Sequence, residues 1–182
     1  MITNGNHAHY ERSMETILRK SKANYIGTDE RKMGLLKNGS KLKNFDIILN
    51  TKEKRTYLID FKGKQFTYPG APSNKWENWL PVSHAQDLIE WQTIFKESKC
   101  KVTPLLVFLY TISSKQDREH FQDIYTLKGK TYGVVAITPS TYLKNCKPRA
   151  KGIVNVSRKH FQKLVKPLSY YVPEINYNTC KH

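Results

Sequence analysis

Residues Leu42–Lys64, LKNFDIILNTKEKRTYLIDFKGK, decide how the rest of the chain is read. Two runs rich in Ile, Leu, Phe and Tyr, Asn44–Leu49 and Arg55–Lys62, flank a short polar turn. This predicts two adjacent strands. Side chains alternate between faces along a strand. Phe45, Ile47 and Leu49 are therefore expected on one face and Asp46 with Ile48 on the other. On the second strand Tyr57, Ile59 and Phe61 oppose Leu58, Asp60 and Lys62. Both faces of both strands carry apolar residues, which predicts burial on both sides. An acid in such a setting is costly unless paired or bound to a cation. Two acids stand there, Asp46 and Asp60, with Lys62 two residues beyond the second.

Around this pair the patterning is that of a single α/β domain. The apolar stripe Tyr10, Met14, Ile17 and Leu18 predicts a helix over 8–22. A short strand is expected at Ala23–Gly27. A basic connection follows over 29–43, with Arg31, Lys32, Lys37, Lys41 and Lys43. Beyond Lys62 the chain is irregular, with Trp76 and Trp79 expected to pin a long loop to the core. Ser83 and Gln86 form an S-x-x-Q capping pattern ahead of a helix whose apolar face is Leu88, Trp91 and Phe95. Val102–Thr111 is a buried strand and Ile112–His120 a polar loop. Phe121–Leu127 and Thr131–Thr138 form a hairpin. A helix over Pro139–Cys146, a strand at Ile153–Val156 and a helix from Ser157 to Val165 complete the pattern. Residues 1–7 and 169–182 are expected to be flexible or extended tails around a domain spanning 8–168.

The charge narrows the function. The chain has 182 residues and a formal charge of +16, from 31 Lys and Arg against 15 Asp and Glu. Such an excess favours polyanionic partners, because each phosphate contact releases counterions. Eight Lys or Arg and no acid fall between Lys144 and Lys166, a second basic stretch. No run approaches the roughly 18 apolar residues of a membrane helix, and MITNGNHAHYERS lacks a signal-peptide core. A cytoplasmic protein that does not enter membranes is expected. Cys100, Cys146 and Cys180 are far apart and show no zinc-site spacing. Of the six His, only His9, beside Glu11, is expected to bear on the site.

An Asp on one strand followed by D-x-K on the next, here Asp46, Asp60 and Lys62, resembles the PD-(D/E)XK nuclease superfamily. Phe45 stands where that motif often has Pro. From about His9 to Tyr110 the order of elements resembles the Holliday-junction resolvase branch. His9-Tyr10-Glu11, the Phe-Asp pair, the D-x-K and the basic C-terminal third also resemble a small bacterial group called HYExAFE proteins. This chain departs from that name in carrying Ser13-Met14-Glu15 after Glu11-Arg12.

The resemblance implies a restriction-endonuclease-like core, a central mixed β-sheet flanked by helices. It implies metal-dependent hydrolysis of phosphodiester bonds in DNA, structured or branched DNA included. Mg2+ or Mn2+, hard cations suited to carboxylates, would be held by Asp46, Asp60, the Phe61 carbonyl and Glu11, with Glu15 in reserve on the same helix. Lys62 would orient and help deprotonate the attacking water. Arg31, Lys32, Lys41, Lys43, Lys64 and Gln65 are expected to grip phosphate, and Gln92 to meet the substrate from the following helix. Dimerisation is an expectation from the resolvases. The alternatives are a nucleic-acid-binding protein on the same fold without catalysis, and an interaction protein explained by charge alone.

Overall fold

The computed structural model describes residues 5–29, 32–36, 39–66 and 75–175, with the side chains of 5–8 excepted. In chain order it forms α1 (Gly5–Lys20), β1 (Asn24–Gly27), β2 (Met33–Leu35), β3 (Lys41–Lys43), β4 (Ile47–Asn50) and β5 (Thr56–Gln65). Next come β6 (Leu80–Pro81), α2 (Val82–Glu97), β7 (Val102–Ile112), α3 (Lys115–Arg118), β8 (Asp123–Leu127) and β9 (Lys130–Ile137). The last elements are α4 (Pro139–Asn145), β10 (Lys147–Pro148), β11 (Ile153–Asn155), α5 (Arg158–Leu164), β12 (Lys166–Pro167) and α6 (Leu168–Tyr171).

The architecture is α/β, with a mixed central sheet flanked by helices. The main sheet has seven strands in the order β1-β4-β5-β7-β9-β12, and β8 pairs with β9 beside β12. β5 and β7 run parallel, and the other pairs are antiparallel. β5 and β7 lie inside the sheet, so both faces are covered, as their unbroken apolar runs require. Leu58, Leu106, Phe108 and Tyr110 pack on the side of α2, α4 and α5. Ile59, Leu105, Val107 and Leu109 pack on the other, with Met14, Ile17 and Leu18 of α1. Among the described residues no helix is long and apolar enough to cross a membrane.

Several elements differ from the sequence expectation, each for a physical reason. Residues 44–46 are not strand, and β4 starts only at Ile47. Alternation therefore fails at Phe45, which packs with Trp91 and Phe95 while Ile47 and Leu49 face α1. The basic connection contains a hairpin, β2–β3, held against α2 where Gly34 meets the Trp91 ring; a Cβ at Gly34 would lie 2.7 Å from it. The capping box at Ser83 does not form. α2 begins one residue earlier, with Pro81 as the capping residue and no side-chain cap. The polar loop after β7 holds the short α3, capped by the Ser114 hydroxyl accepting from the Asp117 N–H.

At the ends, α1 begins at Gly5 rather than at residue 8. The expected C-terminal tail, 169–182, is folded as far as Ile175: beyond β12 it continues α6 from Leu168, and Val172 and Ile175 are buried. Leu168, Val172 and Ile175 keep a helical i, i+4, i+7 spacing, but Pro167 and Pro173 interrupt the run and make it read as extended chain. The expectation for residues 1–4 and 176–182 lies outside the described residues.

Candidate functional site

β5 positions the central acid. Asp60 is 1 % exposed and shares the α2-side face with Leu58 and Lys62. The β4–β5 register sets Ile47 opposite Ile59, which places Asp46 across from Asp60. Asp46 is clamped there by its backbone. Its N–H donates to the Ile59 carbonyl at 2.9 Å, and its own carbonyl accepts from the Thr28 N–H at 2.9 Å. One Asp46 carboxylate oxygen accepts the Phe61 N–H at 2.5 Å. Phe61 thus contributes its amide to Asp46.

Three cations and a histidine surround the acid pair. Lys43 Nζ lies 2.7 Å from Asp60 Oδ1 and 3.9 Å from Asp46 Oδ1, between the two carboxylates. Lys62 Nζ pairs with the other Asp60 oxygen, and lies 3.0 Å from His84 Nδ1. An ammonium only donates, so Nδ1 of His84 accepts and its proton sits on Nε2. Lys43 is fixed from both sides: Asp87 accepts its N–H and Trp91 Nε1 donates to its carbonyl, each at 2.9 Å. Lys64 Nζ stands 3.2 Å over the ring of Trp79 at the rim. Together with Glu11, these groups line a cleft of about 240 Å3.

Burial and charge divide the two acids. Burial, and then the neighbouring Asp60 carboxylate, raise Asp46 to about 7, against the opposing pull of Lys43, the Phe61 N–H and Lys62. Burial also pushes Asp60 up, but Lys62 and Lys43 outweigh it and hold this carboxyl below its ordinary value. Burial and the adjacent Lys62 lower His84 to about 4, so it is neutral at pH 7. Burial lowers Lys64 to about 8, with Glu77 opposing.

The structure brings together Glu11, Asp46, Asp60, Phe61, Lys62, Lys43 and Lys64. Glu11 reaches the cleft, whereas Glu15 pairs with Arg19 at 3.0 Å and lines a smaller adjoining hollow. Of the other expected phosphate contacts, the described ones, Lys32, Lys41, Gln65 and Gln92, do not line the cleft. Lys32 and Lys41 are exposed on the β2–β3 hairpin and its approach, and Gln65 ends β5. Gln92 lies toward the far end of α2, donating to the Val102 carbonyl at 3.1 Å. Arg31 is outside the described residues. His9 packs against Tyr10, with ring centroids 3.9 Å apart and the rings tilted by 41°, rather than lining the cleft. Trp76 is buried as expected, but Trp79 is 37 % exposed at the rim. Sequence reading missed His84. It has no ligand spacing to another His, and only its place in the first turn after the irregular segment could have marked it.

Donor chemistry decides whether a divalent cation suits this cleft. Among the described residues no three His, Cys, Asp or Glu side chains converge into a cage. Mg2+ needs fewer, because it keeps several waters and takes one or two carboxylates plus phosphate oxygens. Asp46 and Asp60 form such a hard-oxygen pair, and their mutual repulsion is what a cation relieves. The Lys43 ammonium stands in that position, so a metal would have to displace it.

No protein-family model matches the chain, and no curated protein matches it.

Proposed function

We propose that the chain is a metal-dependent endonuclease with a restriction-endonuclease-like core, hydrolysing phosphodiester bonds in DNA. The supporting observation is the opposed pair of acids, buried Asp60 and half-buried Asp46, with Lys62 beside them and Glu11 lining the same cleft. Mg2+ or Mn2+ held by Asp46 and Asp60 would neutralise charge on the attacked phosphate and acidify a water. The chain's own groups set the rest. Asp60 and neutral His84 hold the Lys62 ammonium, which is placed to bind a phosphate oxygen as charge develops on it. Lys43, released from the acids, is long enough to follow the phosphate. Glu11, which lines the same cleft, would orient water. A cytoplasmic location and resolvase-like dimerisation belong to this reading.

One observation favours a second reading, a nucleic-acid-binding protein without catalysis: both Asp60 oxygens are already neutralised by lysines. Labelled four-way junction, duplex and single-stranded DNA, each with Mg2+, Mn2+ or chelator, separates the two. Metal-dependent cutting that Asp60→Asn abolishes is expected. Salt-sensitive binding with no cutting in any metal would leave the binding protein.

A further inference from the structure

The cleft is not the strongest concentration of unopposed positive charge. Two grooves of about 610 and 750 Å3 meet at Lys101 and Thr103, where β7 begins. One runs along the end of α2 past Lys96 and Lys99. The other passes under the β4–β5 turn, past Lys54 and Arg55, over Tyr170 and Tyr171. Among the described residues no Asp or Glu lines either groove. Of the groove cations, Arg55 pairs with Glu53 at 3.2 Å, both side chains exposed.

Two features mark this surface, the first shared with other turns of the chain and the second its own. Lys54 and Lys99 have φ of +59° and +60°, a left-handed conformation in which glycine is at ease and a side chain is strained. Both turns keep a cation where backbone preference alone would select glycine. Tyr170 is 65 % exposed, and its ring packs edge-on against Tyr171 at 5.1 Å, leaving an aromatic face beside the cations. Cations beside an exposed aromatic ring suit phosphates and bases. Among the described residues Tyr170 is the one large exposed apolar side chain in the grooves, which offers little to a lipid bilayer.

We propose that this joined groove is a second nucleic-acid contact, gripping phosphates of a strand or duplex longer than the cleft covers. The proposal rests on the nucleic-acid reading of the cleft. From His84 to Lys96 along α2 is about 18 Å, roughly half a turn of duplex DNA. The groove therefore acts on long ligands and is silent for short ones.

The test is fluorescence anisotropy in chelator across a salt series, with a duplex of about 30 base pairs and a single strand of about 4 nucleotides, which at about 3.4 Å per nucleotide is shorter than the distance from cleft to groove. The groove variant is Lys96→Ala/Lys99→Gly/Lys101→Ala. A control removing equal charge is Lys115→Ala/Lys128→Gly/Lys130→Ala. The groove variant is expected to lose about tenfold or more on the duplex near 0.1 M salt, and its salt slope should fall by about 2 to 3. Its short-strand affinity and the control's duplex affinity should each change less than about threefold. Lys99→Gly alone should raise the melting temperature while weakening duplex binding, which separates lost contact from lost fold. Equal losses in groove and control variants overturn the proposal, as does preference of the wild type for phosphatidylserine vesicles over DNA. Wild-type duplex binding untouched by the groove variant rejects the groove alone. Absence of any wild-type DNA binding rejects the nucleic-acid reading with it.

Discussion

Asp46 and His84 lie in the same cleft and push stability in opposite directions with pH. With a carboxyl raised to about 7, folded Asp46 keeps a proton that the unfolded chain has released above about 4. The folded state binds more protons across that window, so this residue makes stability fall as pH rises from about 4 to 7. His84, lowered to about 4, does the reverse. The unfolded chain holds the extra proton up to about 6.5, so stability rises with pH over that range. Asp60, held below its ordinary value, adds stability that is lost only as pH falls through its folded value. In chelator, Asp46→Asn removes the falling component and leaves the rising one. The variant should gain on the wild type as pH climbs, by about 4 kcal/mol at most near pH 8. Urea unfolding at pH 4.5, 6 and 8 reads this directly, and parallel profiles for the two proteins would show that Asp46 is not a buried, repelled acid.

At the scale of elements, one glycine sets the wall of the cleft. A Cβ on Gly63 would lie 2.1 Å from Tyr10 Cδ2, so the absence of a side chain on β5 is what lets α1 lie against the sheet. Tyr10 is held there, its hydroxyl accepting from Thr111 at 3.0 Å, and Glu11 follows it into the cleft. Gly63→Ala should cost about 1–3 kcal/mol by overpacking and displace Glu11. Gly27→Ala, with nothing within 4 Å of the added carbon, is the comparison and should be near neutral. Equal stability of the two variants in urea would mean α1 is not seated by that contact.

The sequence made the D-x-K strand and the α1 stripe legible because each combines a regular period with a burial pattern. The seat of α1 was not legible, because glycine after Lys62 gives no periodic signal. His84 and the bridging role of Lys43 were hidden for a related reason. Both depend on the hairpin and the start of α2 converging on β5, contacts between residues 17 and 22 apart that no local pattern encodes.

Over the whole molecule the charge is distributed by backbone conformation as well as by face. The central sheet takes the apolar runs, and the cations are left to turns and helix ends. Among the described residues, five of the six non-glycine positions with positive φ are lysines: Lys22, Lys54, Lys99, Lys128 and Lys151. The same side chain therefore stands on the same left-handed backbone at five separate places on one surface. All five are exposed, so an acylating reagent should reach each of them in the free protein. That makes them a built-in footprint. A nucleic acid lying in the joined groove would shield Lys54 and Lys99 and leave Lys22 and Lys128 to be labelled. Mass spectrometry of one labelled sample could then read which face is covered, with the unshielded lysines as its internal standard.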